Sequence, residues 1–335
     1  MDLTTVADDE AVLHDGTAVH RFPDLQPETD YERCGHGFRT LPRPPGERLS
    51  TVCTVNDVHF GETECGVLNG IDDYPIYTTA PGEEPYPELM SRCAIADMKA
   101  IGPDVVLVKG DLTSRGTRAE YQAFLNAYGP AFGERLVHVR GNHDSYYGED
   151  FASDAPVAVK LPGVTLAVID TSIPARASGG VSAESLEWLD QLAAEADRPV
   201  LVFGHHHVWN PDSPERPEGY FGVNPDDSER LVDVVARRPR IVGYFAGHTH
   251  RNRVRRFSAT GDVPWVEVAC VKDFPGAWAE YRVYEGGILQ VFRRISAPEA
   301  LAWSEKTRDL YAGLYEVYAF GALGDRCFPI ATADA

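Results

Sequence analysis

Five short polar clusters in this chain combine residue types that hold divalent cations. They are Asp57-Val58-His59, Gly110-Asp111, Gly141-Asn142-His143-Asp144, Gly204-His205-His206-His207 and Gly247-His248-Thr249-His250. Together they offer carboxylate oxygens, imidazole nitrogens and one amide oxygen, with no thiolate, a donor set suited to Mn, Fe, Zn or Co. A spacing of two places both members of a pair on one side of an extended chain. Asp57 with His59, and His248 with His250, are therefore each expected to face one pocket. The glycines before Asp111, Asn142, His205 and His248 suit sharp turns and close backbone approach. Each cluster alone is weak, since a lone Asp-x-His arises often by chance and a stretch such as 205–207 is as readily a packed cluster. Their weight comes from their number and order, each closing an apolar run.

Those runs are the elements that must position the clusters. Residues 52–55 lead into Asp57, 104–108 into Asp111, 136–139 into Asn142, 200–203 into His205 and 241–245 into His248. Helices are expected between them near 87–101, 117–128, 183–196 and 226–237, the last opening with Asn224-Pro225, a cap followed by a proline. Strands alternating with helices predict an α/β fold. Open sheets of that kind place ligands outside the carboxyl ends of strands, so clusters far apart in sequence converge. Further strands near 156–161, 164–170, 253–258, 264–270, 279–284 and 287–293 lack intervening helices, which predicts an antiparallel part or a second sheet.

Three segments are expected. Residues 1–48 form a short β-rich extension of two or three strands ending at Pro42-Arg43-Pro44-Pro45. Residues 49–294 form the body. Residues 295–335 form an aromatic tail whose apolar positions over 301–318 recur at helical spacing, predicting a helix packed on the body or on a second copy.

The 335 residues, 43% hydrophobic and 24% charged, are those of a globular protein and exclude disordered, collagenous and disulfide-scaffold classes. With 31 basic and 51 acidic residues the net charge is -20, which disfavours nucleic-acid polymers and anionic membranes as partners. The basic stretch 251–256 reads as an exposed strand, and Glu305, Asp309 and Glu316 leave the tail without a basic face for a membrane. No run of about 20 apolar residues occurs, and the first ten residues are acidic where a secretory signal is basic and then apolar, so a cytoplasmic location is expected. Cysteines 34, 53, 65, 93, 270 and 327 form no CxxC pair and read as reduced thiols.

In this order the five clusters resemble the calcineurin-like metallophosphoesterase superfamily, whose blocks are D-x-H, G-D, G-N-H-D/E, a G-H or H-H block, and G-H-x-H. The resemblance covers about residues 50–252. It implies a four-layer sandwich of two mixed β-sheets flanked by helices, and two metal ions. Asp57, His59, Asp111 and His250 would hold one ion, and Asp111, Asn142, His205 and His248 the other, with Asp111 bridging. His205, directly after Gly204, is preferred as ligand, with His206 second and a candidate substrate contact. His143 would stabilise the transferred phosphoryl group or protonate the leaving oxygen, with Asp144 holding its ring. Two cations about 3.5 to 4 Å apart bring a shared water's pKa towards neutrality and clamp phosphoryl oxygens, and they overcome the negative field locally. The extension resembles the last strands of the fibronectin-like domain that precedes some metallophosphoesterases.

Departures narrow the expectation. Ser114 and Asp144 differ from the protein-phosphatase pattern, and Ser114 stands where purple acid phosphatases carry a tyrosine ligand. The run from Gly110 to Tyr121, with Gly141 to Asp144, is similar to class III cyclic-nucleotide phosphodiesterases and glycerophosphodiesterases. That implies hydrolysis of small phosphodiesters, with a phosphomonoesterase as alternative. A non-catalytic scaffold would have lost ligand positions, and all of them stand here. Two irregular insertions, 61–86 and 208–221, are expected to overlie the site. In the first, Cys65 has no assigned role. In the second, Trp209, Tyr220 and Phe221 either stack on a base or pin the loop to the core. Arg115 either neutralises phosphate or forms a surface ion pair.

Overall fold

The computed structural model describes residues 1–67, 74–147 and 151–331. The chain opens with β1 (Asp2–Val6), β2 (Ala11–Asp15) and β3 (Ala18–Phe22), an antiparallel sheet, followed by the hairpin of β4 (Asp30–Arg33) and β5 (His36–Arg39). Strands and helices then alternate: β6 (Arg48–Val55), α1 (Tyr86–Ile101), β7 (Val105–Lys109), α2 (Arg118–Phe132) and β8 (Leu136–Val139). An antiparallel pair, β9 (Val157–Leu161) and β10 (Val164–Val168), precedes α3 (Ala183–Glu195), β11 (Val200–Phe203), α4 (Pro225–Arg237) and β12 (Ile241–Ala246). β13 (Arg253–Arg255), β14 (Trp265–Glu267), β15 (Ala277–Tyr284) and β16 (Gly287–Arg294) follow without helices between them. The chain closes with α5 (Pro298–Thr307), α6 (Leu314–Phe320), α7 (Leu323–Arg326) and β17 (Phe328–Ile330).

Two six-stranded sheets carry the body, ordered β17-β16-β15-β6-β7-β8 and β13-β14-β12-β11-β10-β9. Each is mixed: β6, β7 and β8 run parallel, as do β10, β11, β12 and β14, with antiparallel strands outside them. Apolar side chains of both sheets, among them Val52, Leu107, Leu166, Leu201, Phe245 and Tyr281, form one central core. Met90 and Met98 of α1, Phe124 of α2 and Trp303 of α5 cover one outer face, and Leu189 of α3 with Leu231 and Val235 of α4 cover the other. The result is a four-layer α/β sandwich.

Helix starts follow local chemistry. Thr117 caps α2 in a reciprocal box with Glu120, and the Asn224 side chain accepts from Asp227 N ahead of Pro225, as the cap-then-proline pattern predicts. Two expectations are corrected. The extension holds five strands, not two or three. Its inner strands bury Thr4 and Thr5, whose hydroxyls donate to the carbonyls of Val12 (3.0 Å) and Phe292 (2.8 Å), so a polar sequence hides a buried face. The tail is not one helix over 301–318. It breaks between α5 and α6, where Tyr311, Ala312 and Gly313 all take left-handed backbone (φ 54°, 58° and 80°). Helical spacing survives the break because Trp303, Leu310 and Tyr315 bury against the same core. Among the described residues no helix is long and apolar enough to cross a membrane.

Candidate metal centre

The five clusters follow the carboxyl ends of β6, β7, β8, β11 and β12, and these ends meet. The pairs do not converge as extended chain, which corrects the spacing argument. Asp57, His59, Asp111, His248 and His250 all have positive φ, between 47° and 67°. Non-glycine residues adopt that conformation at a cost, and it persists where surrounding contacts dictate it. Here Asp57 N donates to Gly110 O and His59 N to Asp111 O, locking the two strand ends together. Glycine is needed where they touch: a Cβ on Gly141 would lie 2.2 Å from Asp111 Oδ1 and 2.4 Å from its backbone nitrogen.

Asp57 and Asp111 are almost fully buried, at 0% and 2% exposure. His250 Nε2 lies 3.3 Å from Asp57 Oδ1, while His59 Nε2 and His205 Nε2 lie 3.4 and 3.2 Å from Asp111 Oδ2. Burial opposes ionisation of both carboxyls, yet the imidazoles facing them hold both well below the usual carboxylate range. Burial likewise disfavours charge on the rings, but carboxylates push His59 up to about 10 and His205 up to about 9. A centre that draws protons onto buried imidazoles is one that stabilises cations.

The outward nitrogens fix how each ring is presented. His205 Nδ1 donates to Lys109 O at 2.8 Å, and His248 Nε2 donates to Phe221 O at 2.8 Å. Nδ1 of His59 lies 3.0 Å from Glu62 Oε2, and Nδ1 of His250 lies 3.6 Å from Asp273 Oδ2. The hydrogen bonds of His205 and His248 leave their other ring nitrogen for a ligand bond, while His59 and His250 have a carboxylate beside Nδ1. Asn142 is set similarly: its Nδ2 donates to Tyr146 OH (2.7 Å) and its Oδ1 lies 3.2 Å from His205 Nε2.

His206 differs. Thr171 Oγ1 accepts from the backbone nitrogens of His205 and His206, so its own proton goes to His206 Nδ1 at 2.8 Å. That leaves the ring proton of a neutral His206 on Nε2, without a lone pair to offer. Asp57 Oδ1, both ring nitrogens of His59 and His206 Nε2 are buried without a hydrogen-bond partner, polar atoms that a bound ion or water would satisfy. The set fits divalent cations.

His143 borders the centre, but Asp144 does not hold its ring as expected. Ser114 O takes His143 Nδ1 at 2.7 Å, whereas the Asp144 carboxylate accepts from Leu112 N, Thr113 N, Thr113 Oγ1 and Gly141 N, tying two loops together. Burial and the nearby Asp111 charge push Asp144 up to about 6.

A cavity of about 940 Å³ opens above the centre, with His59, Asp111, Asn142, His143, His248 and His250 on its floor. Arg115 lines it and forms no ion pair among the described residues. His206, Trp209 and Tyr220 do not line it, correcting their expected substrate contact: His206 is fully buried, Trp209 is 4% exposed beneath Arg216, and Tyr220 packs beside His207. Phe221 does line it, stacked on His248 at 4.1 Å. Sequence reasoning missed Glu62, Lys272 and Asp273. Lys272 Nζ lies 2.6 Å from Glu62 Oε1 and 3.7 Å from Asp273 Oδ2, so one buried ammonium joins the carboxylates behind His59 and His250. Only the placement of Glu62 three residues after His59 hints at this.

Solved structures share the fold. A dimetal phosphatase from Danio rerio matches with TM-score 0.55 at 16% identity, over 75% of this chain and 98% of that one. A purple acid phosphatase from yellow lupin matches with TM-score 0.50 at 15% identity, over 78% and 54%. In sequence, the glycerophosphodiester phosphodiesterase GpdQ of Enterobacter lignolyticus is 30% identical over 44% of this chain and 56% of its own length. A cAMP/cGMP dual specificity phosphodiesterase of Mycobacterium tuberculosis is 26% identical over 58% and 61%. The chain thus spans little more than half the length of these curated relatives. The family model for calcineurin-like phosphoesterases matches residues 50–252, the stretch that contains all five clusters, and the chain belongs to that family.

Proposed function

We infer that the protein is a binuclear metal-dependent phosphodiesterase acting on small phosphodiesters. The observation that carries this reading is the set of four histidines around two buried aspartates, with His205 and His248 hydrogen-bonded to backbone carbonyls and His59 and His250 lying beside the carboxylates of Glu62 and Asp273. Asp57, His59, Asp111 and His250 would hold one cation, and Asp111, Asn142, His205 and His248 the other. When bound, the cations supply the acidity that makes water a nucleophile near neutral pH and the charge that neutralises phosphoryl oxygens. Hydrolysis forms one P–O bond from water and breaks one ester P–O bond, and the leaving oxygen takes a proton. His143, held through Nδ1, presents Nε2 for that proton. Arg115 adds one positive charge at the rim, where it can face a phosphoryl oxygen. Preference for a diester is supported by the names of the matching relatives.

The test is elemental analysis of protein purified without chelator, with parallel assays of bis-p-nitrophenyl phosphate and p-nitrophenyl phosphate in manganese. Two metals per chain and faster diester turnover are expected. Preference for the monoester would make the protein a phosphatase, and a metal-free protein that manganese cannot activate would remove the enzymatic reading.

A further inference from the structure

Ten large hydrophobic side chains are exposed among the described residues, and five of them, Val67, Tyr147, Phe221, Leu314 and Tyr318, line the mouth of the one cavity that holds the metal centre. Exposed apolar groups scattered singly carry no meaning, but their concentration around a functional cavity does. The wall is built by folding. Three successive left-handed residues at 311–313 turn the tail so that α6 lies over the mouth, and Tyr315 OH anchors it by donating to Asp273 Oδ1 at 2.6 Å. Leu310 packs on Gly66, where a Cβ would come within 2.4 Å of its Cδ2, so the tail and the loop after β6 close on each other. Backbone strain of this kind is retained where position matters.

Charge narrows the occupant. The phosphate must reach the floor, so its ester groups extend along this wall. The wall offers aromatic faces and aliphatic groups, the carboxylates of Glu62 and Glu64, and Arg115 as the one cation without an ion pair among the described residues, since Lys272 is taken by Glu62. No second phosphate is provided for. A second copy of the chain seated here would shut the cavity. We propose that the wall is a subsite for a hydrocarbon ester group, and that the substrate is an amphiphilic phosphodiester: one phosphate at the metals and one alkyl chain along Phe221 and Leu314. This rests on the phosphodiesterase reading and names its substrate class.

The experiment uses the manganese-loaded protein and methyl, butyl and octyl p-nitrophenyl phosphates, which share a leaving group and differ only in the alkyl chain. Each is assayed below its critical micelle concentration. We expect kcat/KM to rise at least about tenfold from methyl to octyl, equivalent to about 1.4 kcal/mol and to fewer than two fully buried methylenes. Leu314→Glu and Phe221→Ser should reduce the rise below about threefold. Val317→Glu, on the same helix but outside the cavity, should preserve it. A flat series with good methyl-ester turnover overturns the subsite and leaves the phosphodiesterase reading standing, whereas no turnover of any ester overturns both. A chain-length effect seen only above the micelle threshold, or abolished equally by Val317→Glu, would mean docking to a lipid surface and overturns the proposal. So would a dimer in sedimentation that Leu314→Glu converts to a more active monomer.

Discussion

Asp111 and His205 face each other at 3.2 Å, each almost fully buried, and both belong to the set proposed to share a cation. His205→Ala is expected to lower metal content from about two ions per chain to about one and to reduce diester turnover more than 100-fold, beyond the ~10- to 100-fold typical of an outer-shell loss. His206→Gln should retain both ions, because Thr171 already occupies its Nδ1. Elemental analysis of the two variants separates them, and the opposite pattern would exchange their roles. Asp273→Asn keeps the shape behind His250 but removes the carboxylate, so metal affinity should weaken about 10- to 100-fold in competition with a chelator. Residue identity made much of this legible, since Asp, His and Asn declare their donor atoms in the sequence. The acceptors that orient the rings did not show, because Lys109, Ser114 and Phe221 act through backbone carbonyls that every residue carries. The left-handed conformations of Asp57 and His248 were equally hidden, being dictated by contacts between strands rather than by side-chain type.

The elements around these residues divide by how local their causes are. The boundaries of α1 to α4 fall within a few residues of the sequence expectation, because caps such as Thr117 and Asn224 and the apolar periodicity act over one or two turns. The break before α6 does not, since its apolar spacing is common to both halves and only tertiary packing decides the turn at Tyr311. The strand-to-loop junctions lie between these cases: their glycines are visible, while the reason for each is the neighbour it admits. Gly141 is the sharpest instance, lacking room for a methyl between its Cα and Asp111. Gly141→Ala is expected to cost about 1 to 3 kcal/mol in urea unfolding, as overpacking does, and also to lower metal occupancy, because the atom displaced is Asp111 Oδ1. Unchanged metal content with normal stability would show that the two loops separate without harm.

Across the whole molecule, alternation of strands and helices foretold an α/β fold with a second sheet, and the family resemblance the sandwich, but neither showed how the two ends of the chain wrap it. The extension is fastened by charges distant in sequence: Arg282 reaches Asp8, Asp9 and Glu10 at 2.6 to 2.8 Å, and Arg293 joins Glu10 to Glu280. Neither composition nor periodicity pairs such residues. One consequence is a pH dependence seated far from the candidate metal centre. His14 on β2 is 1% exposed, its Nδ1 donates to Thr4 Oγ1 at 2.9 Å, and its Nε2 is buried without a partner. Burial, reinforced by the charges of Arg294 and Arg21, pushes its pKa down to about 3. The unfolded chain binds this proton near 6.5 and the folded chain only near 3, so the stability tied to a neutral His14 is fully present above 6.5 and is lost as pH falls between those values. By pH 5 the loss amounts to about 2 kcal/mol. Comparing wild type with His14→Gln by urea unfolding at pH 7 and pH 5 isolates the effect, because every other histidine is common to both proteins. The difference in stability between them should shift by about 2 kcal/mol in favour of the variant at pH 5, and a difference independent of pH would mean that His14 is protonated as readily in the fold as outside it.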